Sequence, residues 1–410
     1  MPSAQCDIRK KNADQMGEGR RLVLFVGGFD PRGARYYHQL MTREAAEQSK
    51  ITGQEYVVGG RTMWPACEHK ASMHKHAMWT VCAEKESGCD YVFVDWSDQV
   101  REHWPKKTWR VWLQALQTYA CVYRERKVLA PLHKQTPYTL WTLFYPLVYA
   151  LLCIAIAAGS FLLLINSMDG AYGFGGASCA ALLVLFAGYK LDQKLHVSWL
   201  LRILNFARTS AHEPLKSLNL RLEEMAASVA QQIQTGRYPE VVVVGFSVGS
   251  TVAVALVHQL RQHLLALSDT PQPLHLVTLG NCLPLFTLMP QQDETLRKPL
   301  FALAQDAHLH WIDISSPGDS VSFGMCDLVA LSLPKADVTD LQRCVNPRHM
   351  CSPRFHKLFR PSTYRWLRRN KVRMHFQYLM ASELPGTYDF FAFLTCRGSL
   401  MAFVSKRLVR

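Results

Sequence analysis

The segment Gly245–Gly249, with the sequence GFSVG, is the clearest chemical signal in the chain, because it matches the pattern G-x-S-x-G. A run of valines after Pro239 precedes it, and an apolar segment from Ser250 to Leu260 follows it. We therefore expect Ser247 on a sharp turn between a strand and a helix, where small flanking residues let the two elements approach closely. The motif predicts a nucleophilic serine, and a purely structural tight turn is the alternative.

A serine nucleophile in this arrangement is followed along the chain by an acid and then by a histidine. Residues 315–321, with the sequence SSPGDSV, form the loop after a predicted strand, and Asp319 in that loop is the expected acid. Its carboxylate would hold the imidazole of the base in the correct tautomer. Asp313, within the strand, is the rival. Asp319 would otherwise be an ordinary turn residue after Pro-Gly.

The base must come from the histidines further downstream, which are His349, His356 and His375. His375 follows the basic segment Arg365–Arg373 and opens an amphipathic run. This position predicts a loop histidine just before the last helix, and we therefore assign the base to His375. His356 and His349 remain alternatives.

Acyl transfer also needs two backbone N–H groups that stabilise the oxyanion of the transition state. Val248, directly after the serine, is expected to supply one of them. Gly27 and Gly28 follow the first predicted strand, and two glycines let the backbone come close to a substrate oxygen. We expect Phe29 to be the second donor, with Gly28 as the alternative. A phosphate-binding loop is excluded because no Lys-Ser/Thr pair follows.

Continuously apolar segments alternate with helical ones, which predicts an α/β fold with a mostly parallel sheet and helices on both faces. The helix after the first strand is expected over Ala34–Glu47. The predicted strands are Arg21–Val26, Tyr91–Asp95, Glu240–Val244, Leu274–Leu279 and His310–Ile314.

Taken together, these residues resemble the α/β-hydrolase superfamily. The Gly-Gly-Phe sequence after the first strand, the GFSVG turn, the loop Pro317–Val321 and the late His375 carry the resemblance, and the Asp-x-Val pattern of the loop is similar to that of lipases and cutinase-like esterases. The resemblance covers residues 21–99 and 237 to about 395. It implies a serine esterase or lipase that forms an acyl-serine intermediate. Membrane-inserted bacterial hydrolases are broadly of this kind, and no cofactor is expected.

Two apolar stretches interrupt the polar sequence, at about Leu140–Ile165 and about Tyr172–Tyr189. About 20 apolar residues suffice to cross a bilayer. Since residues 166–170 between them form a short polar turn, the pattern predicts a helical hairpin that crosses a membrane twice. A pair of buried core helices is the alternative, but the first stretch is too long and too uniformly apolar for that.

The charges around these stretches predict an orientation. Asp169 is the only charged residue of the connecting turn, whereas basic residues flank the two stretches on their outer sides. The twelve cysteines, without a C-x-x-C pair, fit a reducing compartment. The positive-inside rule then places both outer ends in the cytoplasm, so we expect an integral protein of a bacterial inner membrane with its catalytic domain facing the cytoplasm. The flanking basic residues are Arg124, Arg126, Lys127 and Lys134 before the first stretch, and Lys190 and Lys194 after the second.

The hairpin also defines a domain organisation. Residues 1–99 and 237–410 are expected to form the two halves of the hydrolase domain, and residues 100–236 a helical insertion. Within residues 100–127, three tryptophans alternate with basic residues, which indicates either a helix at the headgroup level or a helix that packs its tryptophans on the domain. The tryptophans are Trp104, Trp109 and Trp112.

These features predict a membrane-anchored serine hydrolase that acts on a lipid ester at the bilayer. An acyltransferase or thioesterase with the same three side chains and an inactive membrane scaffold are the alternatives. The net charge of +14 comes without a nucleic-acid module, so the expected anionic partner is lipid. Segments 59–88 and 335–360 are both candidates for a cover over the site. No metal is expected, because Cys67, His69, His74 and His76 lack a second ligand pair at a recognisable spacing.

Overall fold

The computed structural model describes residues 20–65, 76–83, 88–124, 129–167, 170–212, 215–267, 273–289, 293–333 and 338–409. The chain divides into two compact units, Met1–Arg101 with Pro214–Arg410 and Glu102–Glu213. All described strands lie in the first unit. They are β1 (Arg21–Val26), β2 (Tyr56–Val58), β3 (Thr62–Met63), β4 (Ala77–Ala83), β5 (Gly88–Phe93), β6 (Val241–Phe246), β7 (Leu274–Leu279), β8 (Leu309–Ile314) and β9 (His349–Cys351).

Helices account for most of the remaining described chain, and α3 to α7 belong to the second unit. A π-helical turn at Asp293–Arg297 and a 3-10 turn at Gln377–Leu379 complete the set. The helices are α1 (Ala34–Thr52), α2 (Ser97–Glu102), α3 (Thr108–Arg124), α4 (Leu129–Gln135), α5 (Pro137–Ser167), α6 (Gly170–Leu195), α7 (Val197–His212), α8 (Lys216–Gln234), α9 (Gly249–Leu267), α10 (Leu283–Thr287), α11 (Lys298–Gln305), α12 (Leu328–Ser332), α13 (Val338–Gln342), α14 (Phe355–Leu358), α15 (Pro361–Arg369), α16 (Lys371–Phe376), α17 (Phe390–Thr395) and α18 (Leu400–Arg407).

The strands form one mixed sheet in the order β2-β4-β5-β1-β6-β7-β8-β9, with β3 also paired to β4. Every neighbouring pair from β5 to β9 is parallel, whereas β2, β3 and β5 each pair antiparallel with β4. The predicted α/β architecture is confirmed, but the sequence analysis missed β2, β3, β4 and β9. The described part of segment 59–88, a candidate cover, contributes β3, β4 and the first residue of β5 to this sheet.

The parallel strands end in register, so the loops that follow them leave the sheet at one edge. Val26 pairs with Gly245, and Leu279 pairs with both Phe246 and Ile314. In parallel α/β sheets, side chains placed just beyond the carboxyl ends of the strands are the ones that meet in a common site. The loops after β1, β6 and β8 carry the three segments that the sequence singles out.

Both faces of the sheet are buried, as continuous apolar strands require. Val242 and Val244 point into an apolar cluster with Leu40 of α1 and Val404 of α18. Val243 points to the opposite face and is also fully buried, and α9 packs on β6.

In the second unit, α5 and α6 pack against each other and are both long and apolar enough to cross a membrane. Tyr149 donates a hydrogen bond of 2.5 Å to the carbonyl of Gly188, and the rings of Phe161 and Phe174 meet edge-on at 5.9 Å. The helices extend beyond the predicted stretches at both ends, and residues 168 and 169 of the connecting turn lie outside the described part. Large apolar side chains are exposed along both helices, among them Leu151, Leu152, Ile154, Leu162, Leu163, Phe174, Leu182 and Leu183.

The tryptophans of the segment 100–127 do not form a single packed stripe. Trp104 is half-buried beneath the guanidinium of Arg202, 5.0 Å from its ring centre, and Trp112 is also half-buried. Trp109 stays exposed beside Arg110. The helix α3 is anchored by Asn205 of α7, whose side-chain amide donates a 2.9 Å hydrogen bond to the carbonyl of Val111.

Candidate active site

Ser247 occupies the turn between the end of β6 and the start of α9, with a φ of 58° in the left-handed region. A non-glycine residue in this region is uncommon and marks local strain. The glycines on either side make the turn possible. A Cβ on Gly245 would lie 2.7 Å from the Cβ of Ala253, and one on Gly249 would overlap the carbonyl oxygen of Gly27. The GFSVG sequence therefore forms a strand–turn–helix junction in which side chains larger than glycine would not fit at positions 245 and 249.

His375 lies against this serine. Its Nε2 is 2.7 Å from the Oγ of Ser247, and its Nδ1 is 2.7 Å from Oδ2 of Asp319. All three residues are buried, with 4%, 1% and 2% exposure for Ser247, His375 and Asp319. The ring of Phe246 packs on the imidazole at 5.1 Å. The structure thus joins the predicted nucleophile, acid and base in one hydrogen-bonded line.

The local structure around His375 differs from the prediction of a loop. His375 lies in the last turn of the short helix α16, which is capped at its start by Asn370: the Arg373 N–H donates to Asn370 Oδ1 at 3.0 Å. The chain then continues directly into a 3-10 turn. A helical backbone fixes the direction of the side chain more firmly than a loop does.

Asp319 is held by the loop after β8. Its Oδ1 accepts a 3.1 Å hydrogen bond from the Val321 N–H, and its own N–H donates to the carbonyl of Ser316 at 3.0 Å. The Ser316 N–H in turn donates to the hydroxyl of Tyr378 at 2.8 Å. One carboxylate oxygen is therefore used by the loop, and the other is directed at His375.

Asp313, the rival acid, has a different environment within β8. Its carboxylate accepts hydrogen bonds from Thr278 at 2.6 Å, Asn281 at 2.8 Å and Ser315 at 2.6 Å. Burial raises the pKa of this carboxyl group despite these donors. In the described chain, Asp319 and not Asp313 accepts the hydrogen bond from Nδ1 of His375.

The alternative bases are placed elsewhere. His349 is the first residue of β9, at the edge of the sheet, and pairs with Ile312 of β8. His356 lies in α14, where its ring contacts that of Tyr364 at 6.2 Å. Among the described histidines, His375 is the one within hydrogen-bonding distance of Ser247.

The loop after β1 touches the serine. A Cβ on Gly28 would lie 3.0 Å from the Cβ and 3.4 Å from the Oγ of Ser247, so this backbone passes directly beside the hydroxyl. Trp96 Nε1 donates a 2.9 Å hydrogen bond to the carbonyl of Gly27, and the buried ring of Phe29 packs near Trp96 at 6.4 Å. Val248 directly precedes α9, and the first backbone N–H groups of a helix have no partner within it. Phe29 or Gly28 as the second oxyanion donor stays a prediction.

An ion pair that the sequence analysis missed secures this loop. The guanidinium of Arg32 donates hydrogen bonds to both carboxylate oxygens of Asp30, at 2.7 Å to Oδ1 and 2.6 Å to Oδ2, and the hydroxyl of Tyr37 donates to the same carboxylate at 3.3 Å. The guanidinium of Arg32 also stacks 3.8 Å above the ring of Tyr36 and 5.4 Å from that of Phe376. Only the two-residue spacing of Asp30 and Arg32 could have suggested the pair.

Cys282 was also missed. Its Sγ lies 3.7 Å from the Oγ of Ser247 and 3.8 Å from the carbonyl of Val321. Burial raises the pKa of the Cys282 thiol to about 12. Since the thiolate is the reactive form of cysteine, burial disfavours a reaction at this sulfur. No sequence pattern predicts this contact, because the fold brings Cys282 to Ser247 from the loop after β7.

Of the cysteine and histidine residues considered for a metal, only His76 lies in the described part, where its Nδ1 accepts a 3.1 Å hydrogen bond from the Asp95 N–H. Cys67, His69 and His74 lie outside it. No group of three or more His, Cys, Asp or Glu suited to a metal occurs among the described residues. No family model, curated protein or solved structure matches the chain. The function must therefore be inferred from the geometry around Ser247.

Proposed function

We propose that this chain is a membrane-anchored serine hydrolase of the α/β-hydrolase type, which cleaves carboxylic esters through an acyl-serine intermediate. The observation that carries the proposal is the line of hydrogen bonds from Ser247 through His375 to Asp319, with both distances at 2.7 Å. The positive φ of Ser247 adds to it, because strain of this kind at a nucleophile turn is a feature of serine hydrolases.

In the first half of the reaction, the imidazole of His375 acts as a general base. With its Nδ1 proton donated to Asp319, its Nε2 accepts the hydroxyl proton of Ser247 while Oγ attacks the ester carbonyl. The negative charge that develops on the carbonyl oxygen is held by the N–H of Val248 and that of Phe29 or Gly28. The tetrahedral intermediate then collapses as His375 donates the proton to the leaving alcohol.

In the second half, water takes the place of the alcohol. His375 removes a proton from that water, which attacks the acyl-serine carbonyl, and the same N–H groups hold the second oxyanion. Collapse releases the carboxylic acid and returns the proton to Ser247. Asp319 stabilises the imidazolium twice in the cycle without accepting its proton.

The membrane part of the proposal depends on α5 and α6, whose length and exposed apolar side chains suit a bilayer. By the positive-inside rule, the basic residues outside both helices support a location of the hydrolase unit on the cytoplasmic side of an inner membrane. An enzyme held there meets lipid esters at high local concentration. We therefore propose a membrane lipid or another acyl ester as the substrate.

The test is ester hydrolysis by the full-length protein in detergent, with a chromogenic short-chain ester. We expect turnover by the wild type and a fall of about 10⁴-fold or more in kcat for both Ser247→Ala and His375→Ala, because residues of such a set act as a unit. Ser405→Ala is the matched control, since Ser405 is an exposed serine on α18 and its loss should leave kcat unchanged. A folded wild-type protein without turnover on any acyl ester or thioester would favour the inactive scaffold. Faster transfer to an added alcohol than to water would favour an acyltransferase.

A further inference from the structure

The segment 341–382 has an unusual charge composition. It contains ten Lys and Arg and no Asp or Glu, so it carries most of the net charge of +14 of the whole chain. The helix α15 lies in its centre, and His375 lies near its end. A local excess of one charge sign that large creates a strong attraction for anionic surfaces.

The nine residues of α15 divide cleanly into two faces. Leu367 is buried, and Tyr364 is half-buried beside it against the apolar core. Arg365, Trp366 and Arg369 lie on the opposite face at helical spacing, and Trp366 is 54% exposed. The face is completed by Arg368 and Ser362, both exposed.

The cations of this outer face are not neutralised within the described chain. Arg365, Arg368 and Arg369 form no ion pair with a described residue, whereas Arg360, just before the helix, pairs with Glu383 at 3.4 Å. Trp366 is thus a large exposed aromatic side chain beside arginines that have no carboxylate partner in the described chain. The combination is typical of segments that lie at the headgroup level of a bilayer, where the indole ring contacts the acyl boundary and the guanidinium groups contact phosphates.

We propose that the outer face of α15 binds the surface of an anionic lipid bilayer. The charge of the face is complementary to anionic headgroups, which attract each nearby Lys or Arg by about 1 kcal/mol. A bilayer, rather than a nucleic acid, is the partner because the same chain carries two helices suited to a membrane. The proposal depends on the membrane assignment of the proposed function, but not on its chemistry.

The inner face of α15 connects this surface to the active site. A Cβ on Gly318 would lie 2.7 Å from the hydroxyl of Tyr364 and 2.9 Å from Met374, so α15 and α16 both press on the loop that holds Asp319. Asn370 joins α15 to α16, which carries His375. Binding of the outer face to lipid would therefore bring the serine, histidine and aspartate to the surface of the bilayer that contains the substrate.

The test is hydroxyl-radical footprinting of the full-length protein in lipid nanodiscs, read as the oxidation rate of Trp366 by mass spectrometry. One set of nanodiscs contains phosphatidylcholine alone and the other contains phosphatidylglycerol in addition. We expect the oxidation of Trp366 to be about fivefold slower in the anionic nanodiscs and the protection to fade with added salt. Met63, an exposed residue of β3, should be oxidised equally in both.

Two variants show whether the arginines are responsible. Arg365→Gln with Arg369→Gln should abolish the protection of Trp366, and the matched control, Lys50→Gln with Lys406→Gln, removes two exposed charges elsewhere and should retain it. Equal oxidation of Trp366 in both nanodiscs, or protection only by added RNA, would overturn the proposal. Failure of the protein to co-elute with either nanodisc would contradict the membrane assignment itself. Since the oxidation rate of Trp366 is measured without turnover, the experiment tests lipid binding by α15 even if the protein has no hydrolase activity.

Discussion

The two ends of the parallel strands hold two buried polar clusters of different character. At the carboxyl edge, His375 joins the hydroxyl of Ser247 to the carboxylate of Asp319. At the amino edge, Glu240 lies between the guanidinium of Arg21 and the imidazole of His275, with His275 Nε2 2.8 Å from its carboxylate. Both clusters contain a carboxylate and a histidine, but the first ends in the hydroxyl of Ser247, whereas in the second Arg21 donates a 3.1 Å hydrogen bond to the sulfur of Cys396.

The amino-edge cluster connects the C-terminal segment of the chain to the sheet. Arg21 Nη2 donates a 2.9 Å hydrogen bond to the carbonyl of Gly398, and Glu240 accepts a 3.0 Å hydrogen bond from the Leu400 N–H. The cluster thereby ties the C-terminal helices to the start of β1 and β6. It contains opposite charges in direct contact, and burial raises the pKa of the Cys396 thiol beside them.

The comparison teaches that a buried histidine beside a carboxylate is not by itself an active site. What distinguishes the carboxyl edge is a hydroxyl on a positive-φ turn, beside the backbone of Gly28, where a Cβ would lie only 3.4 Å from the Oγ of Ser247. Perturbed or buried ionisable groups serve structure as well as catalysis. The two edges should therefore respond to substitution in opposite ways, one through activity and the other through stability.

The largest difference in kcat should be between substitutions of Asp319, in the loop after β8, and of Asp313, within β8. We expect Asp319→Asn to lower kcat for ester hydrolysis about 10⁴-fold, because the amide stabilises the wrong tautomer of His375. Asp313→Asn should leave kcat near the wild-type value and lower the free energy of unfolding by about 1–3 kcal/mol, since its three hydrogen-bond donors lose their carboxylate. Steady-state kinetics and denaturant unfolding measure the two effects. A comparable loss of kcat in both variants would contradict the assignment of Asp319, rather than Asp313, as the acid that orients His375.

At the amino edge, the substitution Glu240→Gln should lower the free energy of unfolding by about 3 kcal/mol, because it leaves the guanidinium of Arg21 buried without its partner. The kcat of the folded fraction should stay unchanged. Denaturant unfolding together with active-site titration checks both statements. A variant of normal stability and low kcat would mean that this cluster acts on the active site.

A smaller effect should appear in the pH dependence of stability. Burial would raise the pKa of Glu240, but the close contact with His275 and the charge of Arg21 lower it from 4.5 to about 2. A carboxyl group with a depressed pKa in the folded state stabilises the protein above its unfolded pKa, and this contribution is lost as the pH falls from 4.5 towards 2. The unfolding free energy of wild type should therefore fall more steeply across that window than that of Glu240→Gln. Parallel curves would contradict the assignment.

The sequence predicts the features that depend on local patterns. The five apolar runs become β1 and β5 to β8, and the GFSVG motif forms the strand–turn–helix junction around Ser247. Chain order alone selected Asp319 and His375, which the fold brings within hydrogen-bonding distance across 56 residues. Their catalytic roles stay predictions until turnover is measured.

The features that the sequence does not predict arise from tertiary contacts. The strand β9 has three residues and gives no periodic signal, and β2 to β4 are recognisable only once they pair. Cys282 meets Ser247 from a loop 35 residues away, and the stacking of Arg32 near Phe376 joins opposite parts of the chain. The helical position of His375 was also missed, because Asn370 caps a helix of only six residues.

The most direct test of the central claim is to locate the adduct of a fluorophosphonate by peptide mapping. The reagent phosphonylates serine only where a base activates the hydroxyl, so exposure does not decide the site. We predict one adduct per chain, on Ser247, which is 4% exposed, and none in His375→Ala. An adduct on another serine, or no adduct on the folded wild-type protein, would contradict the assignment of Ser247, His375 and Asp319 as a working set.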